Sequence, residues 1–393
     1  MKIVFLTARF PYPPYKGDQL IAYEQIKRLH NEHEVYLVTL DYDNNYRNCP
    51  DEVIALFKGI YVLPRSKFMK LGMFKTLFNF KPLQVNLFYN RKLLKQAHAI
   101  MDSIHPDLVQ VQTIRMAEYM TKYPTIKILD MIDAISLNMA RRAKRDKLFL
   151  KPFYFFESFL LKRYEEKAIA AYNRTILVSE KEKEYFNSPR VVVNSNGTSM
   201  DCSRSEMEKY PSKEKAFIFH GNMSYFPNVE AMLYFTKEIW PEIHRKYPDY
   251  KLYIVGKDPS KEIQNLNNRY NIVVTGFVED ISLYLLKSII GIYPLNAGTG
   301  IQNKVLESLA CGLPVICSNY GIQGIAGITN REVFIANSKE EIIQGVEELL
   351  LDEKLRQQYS FSGQRFVAER YSWARNVSKL EQIWQEAGQE QYH

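Results

Sequence analysis

Pro294-Leu295-Asn296-Ala297-Gly298-Thr299-Gly300-Ile301-Gln302-Asn303-Lys304-Val305-Leu306-Glu307-Ser308-Leu309-Ala310-Cys311-Gly312-Leu313-Pro314-Val315-Ile316 decides the fold of this 393-residue chain. A β-branched run over 290–294 ends in a Gly-x-Gly turn, a helical pattern follows, Gly312 closes it, and a second apolar run begins at Pro314. That is a strand–turn–helix–strand unit, whose helix carries the chain back so that the two strands lie parallel. Outward from it the alternation continues, with strands expected at 216–220, 251–255, 272–275, 314–318 and 332–336. The first half repeats it at 2–8, 34–40, 59–64, 108–112, 126–132, 175–179 and 191–194. Such series predict an α/β chain with doubly wound parallel sheets. The clearest helix spans 18–29, where Asp18 caps the first turn and Leu20, Ile21, Tyr23, Ile26 and Leu29 form an apolar face.

Length divides the series in two, because a single hydrophobic core rarely grows beyond about 250–300 residues. The polar run from Asn194-Ser195-Asn196-Gly197 to about Lys215 supplies a hinge. The expected organisation is a Rossmann-like domain over 1–195, a second over 196–372, and a last helix over 373–393 that can pack back on the first. Ligands of such folds bind at the carboxyl ends of the strands.

Composition narrows the function classes. With 46% apolar residues the chain is neither disordered nor fibrous. Cys49, Cys202, Cys311 and Cys317 form no C-x-x-C pair, so they predict reduced thiols in a cytosolic protein and no zinc site. The apolar stretch after Met1 is too short for a signal peptide, and the longest apolar run, 281–295, is broken by Lys287 and Gly291. The formal charge of +8 is unevenly spread: 1–190 holds 31 basic and 20 acidic side chains (+11), 191–393 holds 21 and 24 (−3). Between 53 and 101 nine basic residues stand without one acid, interleaved with Phe68, Met69, Leu71, Met73, Phe74, Leu77, Phe78 and Phe80. Arg141, Arg142, Lys144, Arg145, Lys147 and Lys151 then lead into Phe153-Tyr154-Phe155-Phe156. Lysines set against anionic headgroups, with Phe and Met among acyl chains, account for both features. The expected location is therefore cytoplasmic, peripheral at the inner face of the cell membrane. Nucleic acid is not an expected partner, since no stacking motif or binding module accompanies the charge.

The first strand–helix turn, Ala8-Arg9-Phe10-Pro11-Tyr12-Pro13-Pro14-Tyr15-Lys16-Gly17-Asp18, lacks the G-x-G-x-x-G of a nicotinamide dehydrogenase. It brings Lys16 and Gly17 to a helix N-terminus suited to anions, although a rigid connector fits the same spacing. In the 294–316 stretch the Gly-x-Gly turn lets backbone amides approach a phosphate or sugar, while Lys304 and Glu307 share a helix face. Glu307 stands beside Leu306 and Leu309 and needs a partner such as a pair of hydroxyls; a surface Lys–Glu pair is the alternative.

The stretch resembles the donor-site signature of the retaining GT-B glycosyltransferases of glycosyltransferase family 4. Phe219-His220-Gly221-Asn222-Met223-Ser224-Tyr225-Phe226-Pro227-Asn228, Ile254-Val255-Gly256 and Val274-Thr275-Gly276-Phe277-Val278 agree in order, and the first strand–helix turn is similar to that of exopolysaccharide-type sugar transferases. The resemblance covers nearly the whole chain. It implies a GT-B fold of two doubly wound Rossmann-like domains facing across a cleft, with a nucleoside diphosphate sugar as co-substrate. No metal or other cofactor is expected, and the acceptor is a glycan or lipid-linked precursor. Residue by residue, it implies that Glu307 holds the ribose hydroxyls and that Gly276, Phe277 and Val278 meet the base. Gly298, Thr299, Gly300, Ile301 and Gln302 wrap the diphosphate and sugar, and Gly17 lies near the donor phosphates. Gly221-Asn222 matches the family's Gly-Arg.

Three departures accompany it. The first Glu of the Glu-(seven residues)-Glu motif is Thr299; Asn222 and Asn228 replace an Arg and a Lys; and Asp130-Met131-Ile132-Asp133 follows the fifth strand where many members carry a His. Stabilising the departing diphosphate is most of the catalytic task, so Lys304, Lys257 and Lys16 are expected as substitute cations. The catalytic candidates are Lys304, Thr299, Asp133 and Lys16, and the expected reaction is a retaining transfer in which the departing phosphate takes the acceptor's proton. A nucleotide-sugar 2-epimerase shares the architecture but fits Gly-Thr-Gly-Ile-Gln-Asn-Lys-Val-Leu-Glu less well. A catalytically degenerate scaffold is the other alternative.

Overall fold

A computed structural model describes residues 1–64, 76, 79–145, 151–198, 200, 213–297 and 301–389. The chain forms two compact units, Met1–Asn196 with Asn376–His393, and Gly197–Arg375.

In the first unit β1 (Lys2–Thr7), β2 (Glu34–Thr39), β3 (Gly59–Val62), β4 (Leu108–Gln112), β5 (Ile126–Ile132), β6 (Arg174–Leu177) and β7 (Val191–Val193) build one sheet. Its order is β3-β2-β1-β4-β5-β6-β7, and every pairing is parallel. Alternate residues point to opposite faces. Val4, Leu6, Val109 and Val111 enter one apolar cluster, and Ile3, Phe5, Leu108 and Ile128 the other. Both faces are covered, which is why these strands read as continuous apolar runs. The Gly17–Leu29 helix packs on the second face with Val377, Leu380, Ile383 and Trp384 of the Trp373–Gln389 helix. Buried amides fix that contact: Trp384 Nε1 donates to Gln110 Oε1 (2.9 Å), Gln110 Nε2 to Gln25 Oε1 (3.1 Å) and Gln25 Nε2 to Asn376 Oδ1 (3.1 Å).

The second unit repeats the plan with β8 (Ala216–His220), β9 (Lys251–Val255), β10 (Ile272–Gly276), β11 (Ile290–Tyr293), β12 (Val315–Cys317) and β13 (Phe334–Ile335). They form a parallel sheet in the order β10-β9-β8-β11-β12-β13. Phe217, Phe219, Leu252 and Ile254 face one cluster, Ala216, Ile218, Tyr253 and Val255 the other. In each sheet the winding reverses at the centre, between β1 and β4 and between β8 and β11. Connections leave such a point toward opposite faces and open a crevice at the carboxyl ends of the strands.

All the expected strands are present, with ends within two residues of the sequence reading. Two expectations are corrected. Asp18 is not the cap of its helix: the chain enters through Lys16, no side chain caps the first turn, and the Asp18 carboxylate is drawn to Arg9 Nη1 at 2.7 Å. Nor are all four cysteines reduced, since Cys311 is disulfide-bonded, whereas Cys49 and Cys317 are free. Of the sequence features singled out above, Phe68, Met69, Leu71, Met73, Phe74, Leu77, Phe78, Lys147, most of the hinge and the turn residues Gly298, Thr299 and Gly300 lie outside the described residues. No helix among the described residues is long and apolar enough to cross a membrane.

Candidate functional site

The reversal between β8 and β11 holds a chain of four polar side chains. β8 ends in His220, β11 ends in Tyr293, and the Asn303–Ala310 helix that follows β11 carries Glu307 and Ser308. Gly312, at φ 61°, stops that helix in a left-handed conformation suited to glycine and turns the chain into β12. Glu307 Oε2 lies 2.8 Å from His220 Nε2. A carboxylate only accepts, so Nε2 carries the proton, and in the neutral ring Nδ1 then accepts from the Tyr293 hydroxyl at 2.7 Å. That hydroxyl in turn accepts from Ser308 Oγ at 2.6 Å. His220, Tyr293 and Ser308 are buried, and burial drives the Tyr293 phenol far above its usual range, so it stays neutral. Glu307 differs: its side chain is 28% exposed, and Oε1 takes no hydrogen bond from any described residue. One oxygen is held from inside the protein and the other faces no donor among the described residues.

One turn earlier on the same helix, Lys304 is only 9% exposed. Its ammonium donates to Asn228 Oδ1 at 2.6 Å and lies 5.5 Å from the centre of the Phe219 ring. Burial pushes it down to about 8, with the Glu307 charge opposing. Lys304 and Glu307 therefore do not form the surface pair that their spacing allows: Glu307 reaches the end of β8, and Lys304 reaches Asn228 on the Phe226–Tyr234 helix. Asn228 Nδ2 donates to the Asn222 carbonyl at 2.9 Å, and Asn222 Oδ1 accepts from Ser224 N and Oγ at 2.9 and 2.8 Å. At the position where the resemblance implies a lysine, the chain thus has an asparagine that receives an ammonium from another helix.

Around this cluster Gly221 and Gly256 directly follow β8 and β9, and Gly276 ends β10. A Cβ on Gly256, whose φ is 151°, would stand 1.7 Å from the Gly221 carbonyl oxygen, so only glycine permits that approach. Gly276, at φ 69°, has open space where a side chain would be, next to Phe277, which is 73% exposed, and Val278. Lys257 is exposed, Ile301 half-buried and Gln302 buried at the start of the helix. Lys257, unlike Lys304, has no side-chain partner among the described residues.

The first-unit candidates sit at the carboxyl edge of its own sheet. Lys16 Nζ lies 2.7 Å from Asp43 Oδ2, which also faces Arg9 Nε at 3.0 Å. Gly17 is exposed, with nothing within 4 Å of an added Cβ. Asp133 is exposed after β5, yet the protein packed around it still raises its pKa, with Arg141 opposing. Behind it Asp130 accepts from Ile132 N at 3.2 Å and Glu165 from Ser136 N at 3.0 Å, both buried and both pushed up to about 7 by that burial. Among the described residues, Glu32, His33 and Glu381 of this unit bring three possible metal-ligating atoms within 4.8 Å of one another. His33 Nε2 and Glu381 Oε1 already bond there at 2.8 Å, and none of the three is a predicted site residue.

Sequence reading missed His220, Tyr293 and Ser308. The available signal was a lone ionisable residue ending the otherwise apolar run Ala216-Phe217-Ile218-Phe219-His220, since a buried titratable group requires a partner.

Residues 214–352 match the family described as Glycosyl transferases group 1. An uncharacterized 44.6 kDa protein in the cps region of Klebsiella pneumoniae is 20% identical over 96% of this chain and 98% of its own. Among solved structures, Anabaena Alr3699/HepE in complex with UDP superposes with a TM-score of 0.67 at 14% identity, covering 98% of this chain and all of that one. Sucrose-phosphate synthase from Thermosynechococcus elongatus gives 0.65 at 15% identity over 98% of this chain and 99% of that one. The fold is GT-B.

Proposed function

We propose that this chain is a retaining, family 4-type glycosyltransferase that moves a sugar from a nucleoside diphosphate sugar to an acceptor hydroxyl. The observation that carries the reading is Glu307, held through one oxygen by His220 at 2.8 Å and open at the other, at the reversal point of the second sheet. A carboxylate so fixed suits the two ribose hydroxyls of a nucleotide, with Gly276, Phe277 and Val278 beside the base and Gly221, Asn222, Ile301 and Gln302 near the diphosphate. In the reaction the bond from the anomeric carbon to the phosphate oxygen breaks, the acceptor oxygen bonds to the same face of that carbon, and the acceptor proton passes to the departing phosphate. Lys304 is the first cation to meet the developing charge, with Lys257 and Lys16 next. Thr299 and Asp133 are the groups proposed to touch the transferred sugar. Side chains rather than a metal neutralise the diphosphate, so EDTA is expected to leave turnover unchanged.

The acceptor is proposed to be a lipid-linked or polysaccharide precursor of the cell envelope or an exopolysaccharide. Phe153, Phe155, Phe156 and Phe159 support an anionic membrane surface as partner: all four are 44–56% exposed on one helix, Lys151–Ala171. Alr3699/HepE has been solved with UDP and UDP-glucose, so uridine nucleotides are the first donors to test. Thermal shift against UDP-, GDP-, ADP- and TDP-sugars is the deciding experiment, since a ligand at 100 times its Kd adds ~2.7 kcal/mol to stability. A shift with one base, followed by sugar transfer, is expected; no shift with any of them overturns the reading. An epimerised donor formed without acceptor would select the epimerase, and binding without turnover the scaffold.

A further inference from the structure

At the reversal point of the first sheet stands a cation, Arg115, that forms no ion pair with any described residue. The Ile114–Tyr119 turn of 3-10 helix follows β4 there and carries Arg115. Arg9, Lys16, Asp18 and Asp43 neutralise one another nearby in three ion pairs of 2.7–3.0 Å. Arg115 is half-buried and has no carboxylate within ion-pair distance among the described residues. Its Nε and Nη2 both donate to one amide oxygen, Gln84 Oε1, at 3.0 and 2.8 Å, and its guanidinium lies 5.5 Å from the centre of the Phe88 ring. Burial and the neighbouring Arg9 charge disfavour its charged form, with the Asp18 carboxylate opposing. Five N–H groups leave three unused among the described residues, and they include the end of the fork formed by Nη1 and Nη2, which matches an oxyanion.

The loop that presents Arg115 is tightly constrained. Thr113, just before the turn, holds φ 68° and ψ 147°, a region that β-branched residues avoid. Its N–H is pinned to the Asp130 carbonyl at 2.7 Å. The side chain is 7% exposed and its hydroxyl has no partner among the described residues. Gln84 leads to the second half of the site. Its backbone N–H and that of Leu83 donate to Glu157 at 3.3 and 3.0 Å, and Glu157 lies on the helix whose Phe153, Phe155, Phe156 and Phe159 are exposed.

We infer that Arg115 binds the phosphate of a lipid-linked acceptor whose apolar chain rests on the exposed Phe side chains of the Lys151–Ala171 helix. The inference rests on the proposed transfer reaction only in calling this ligand the acceptor. The test titrates the full chain, wild type and Arg115→Gln, with farnesyl monophosphate, farnesol and inorganic phosphate by calorimetry. Wild type is expected to bind farnesyl monophosphate at least tenfold more tightly than either other probe. Arg115→Gln should lose about tenfold for farnesyl monophosphate and nothing for farnesol, the scale of a charge-assisted hydrogen bond. Should Arg115→Gln melt early, Arg115→Met keeps the stem packed on Phe88 without the charge, and the same loss is expected of it. Equal affinity for farnesyl monophosphate with and without the arginine overturns the inference. So does Arg115-dependent binding of inorganic phosphate as tight as that of the lipid, which would mark a site for free phosphate. UDP binding measured on the same samples reports on the donor reading separately: its absence would sink that reading and leave the Arg115 result standing.

Discussion

His220 already fixes the Glu307 rotamer, so in the proposed donor complex Glu307 has less entropy to lose than an ordinary exposed glutamate. Replacing it with Ala removes charge-assisted bonds worth ~1.5–3 kcal/mol each, so donor affinity is expected to fall roughly 10- to 100-fold while the melting temperature holds. Unchanged turnover and KM would rule the assignment out. Under the proposed function His220 acts through Glu307 as a positioning residue. His220→Ala should raise the donor KM about tenfold with less effect on kcat. Tyr293→Phe keeps the His220–Glu307 contact, so it is expected to lower stability by about 1 kcal/mol and leave KM within about twofold; a KM loss equal to that of His220→Ala would show that both effects are merely structural. Lys304→Met should reduce kcat while leaving uncharged nucleoside binding intact. With the free ammonium held down to about 8, its charge is lost as pH rises through that value. The kcat/KM profile should therefore fall on the alkaline side near pH 8, and the mutant's low activity should lack that limb. Helical spacing made Lys304 and Glu307 visible in the sequence but paired them with each other. Their real partners, Asn228 and His220, lie 76 and 87 residues away and come to them only through the order of the strands.

Strands were the most legible elements, for a physical reason: a parallel strand covered on both faces is apolar at nearly every inner position, and Lys2-Ile3-Val4-Phe5-Leu6-Thr7 or Ala216-Phe217-Ile218-Phe219-His220 cannot bury that surface as an exposed helix. Helix starts were less legible, because a cap depends on where the side chain goes; Asp18 has the right position but is drawn to Arg9. Alternation of strands and helices announces a parallel sheet without saying where its winding reverses, so the sites at β1/β4 and β8/β11 had to come from the structure. β5 and the helix packed behind it also carry a pH dependence that sequence does not show. Asp130 and Glu165 are both pushed up to about 7 by burial, above ordinary values of 3.8 and 4.5. The folded state therefore holds their protons more tightly than the unfolded state, and the stability this gives is present at low pH and lost as pH rises through about 7. Raising pH from 5 to 8 should lower the stability of the first unit by an amount on the order of a few kcal/mol, since each tenfold difference in proton affinity between the two states is worth about 1.4 kcal/mol. Asp130→Asn, which keeps the acceptor for Ile132 N, should flatten that slope in urea melts taken at several pH values, and an unchanged slope would refute the assignment to Asp130.

Across the whole chain the charge is divided, +11 over 1–190 against −3 over 191–393, so long-range attraction to an anionic surface acts on the first part of the chain. Charge alone would give only a salt-sensitive, reversible association, at about 1 kcal/mol per basic residue near the surface. The Lys151–Ala171 helix adds what charge lacks: Phe153, Phe155, Phe156 and Phe159 leave apolar area in water that neither core cluster of the first unit claims. An exposed patch of that kind marks a contact surface, and Lys162 and Arg163 stand on the same helix. Full-length protein is therefore expected to co-sediment with vesicles containing phosphatidylglycerol at low salt, to pellet less with pure phosphatidylcholine, and to be released in part by high salt, which screens the lysines and not the phenylalanines. Phe155→Ser with Phe159→Ser should weaken the salt-resistant part and leave the salt-sensitive part, because the two substitutions touch area and not charge. Equal and negligible pelleting with both lipids at low salt would mean that the basic excess only keeps a soluble enzyme in solution, and the acceptor would then have to be water-soluble.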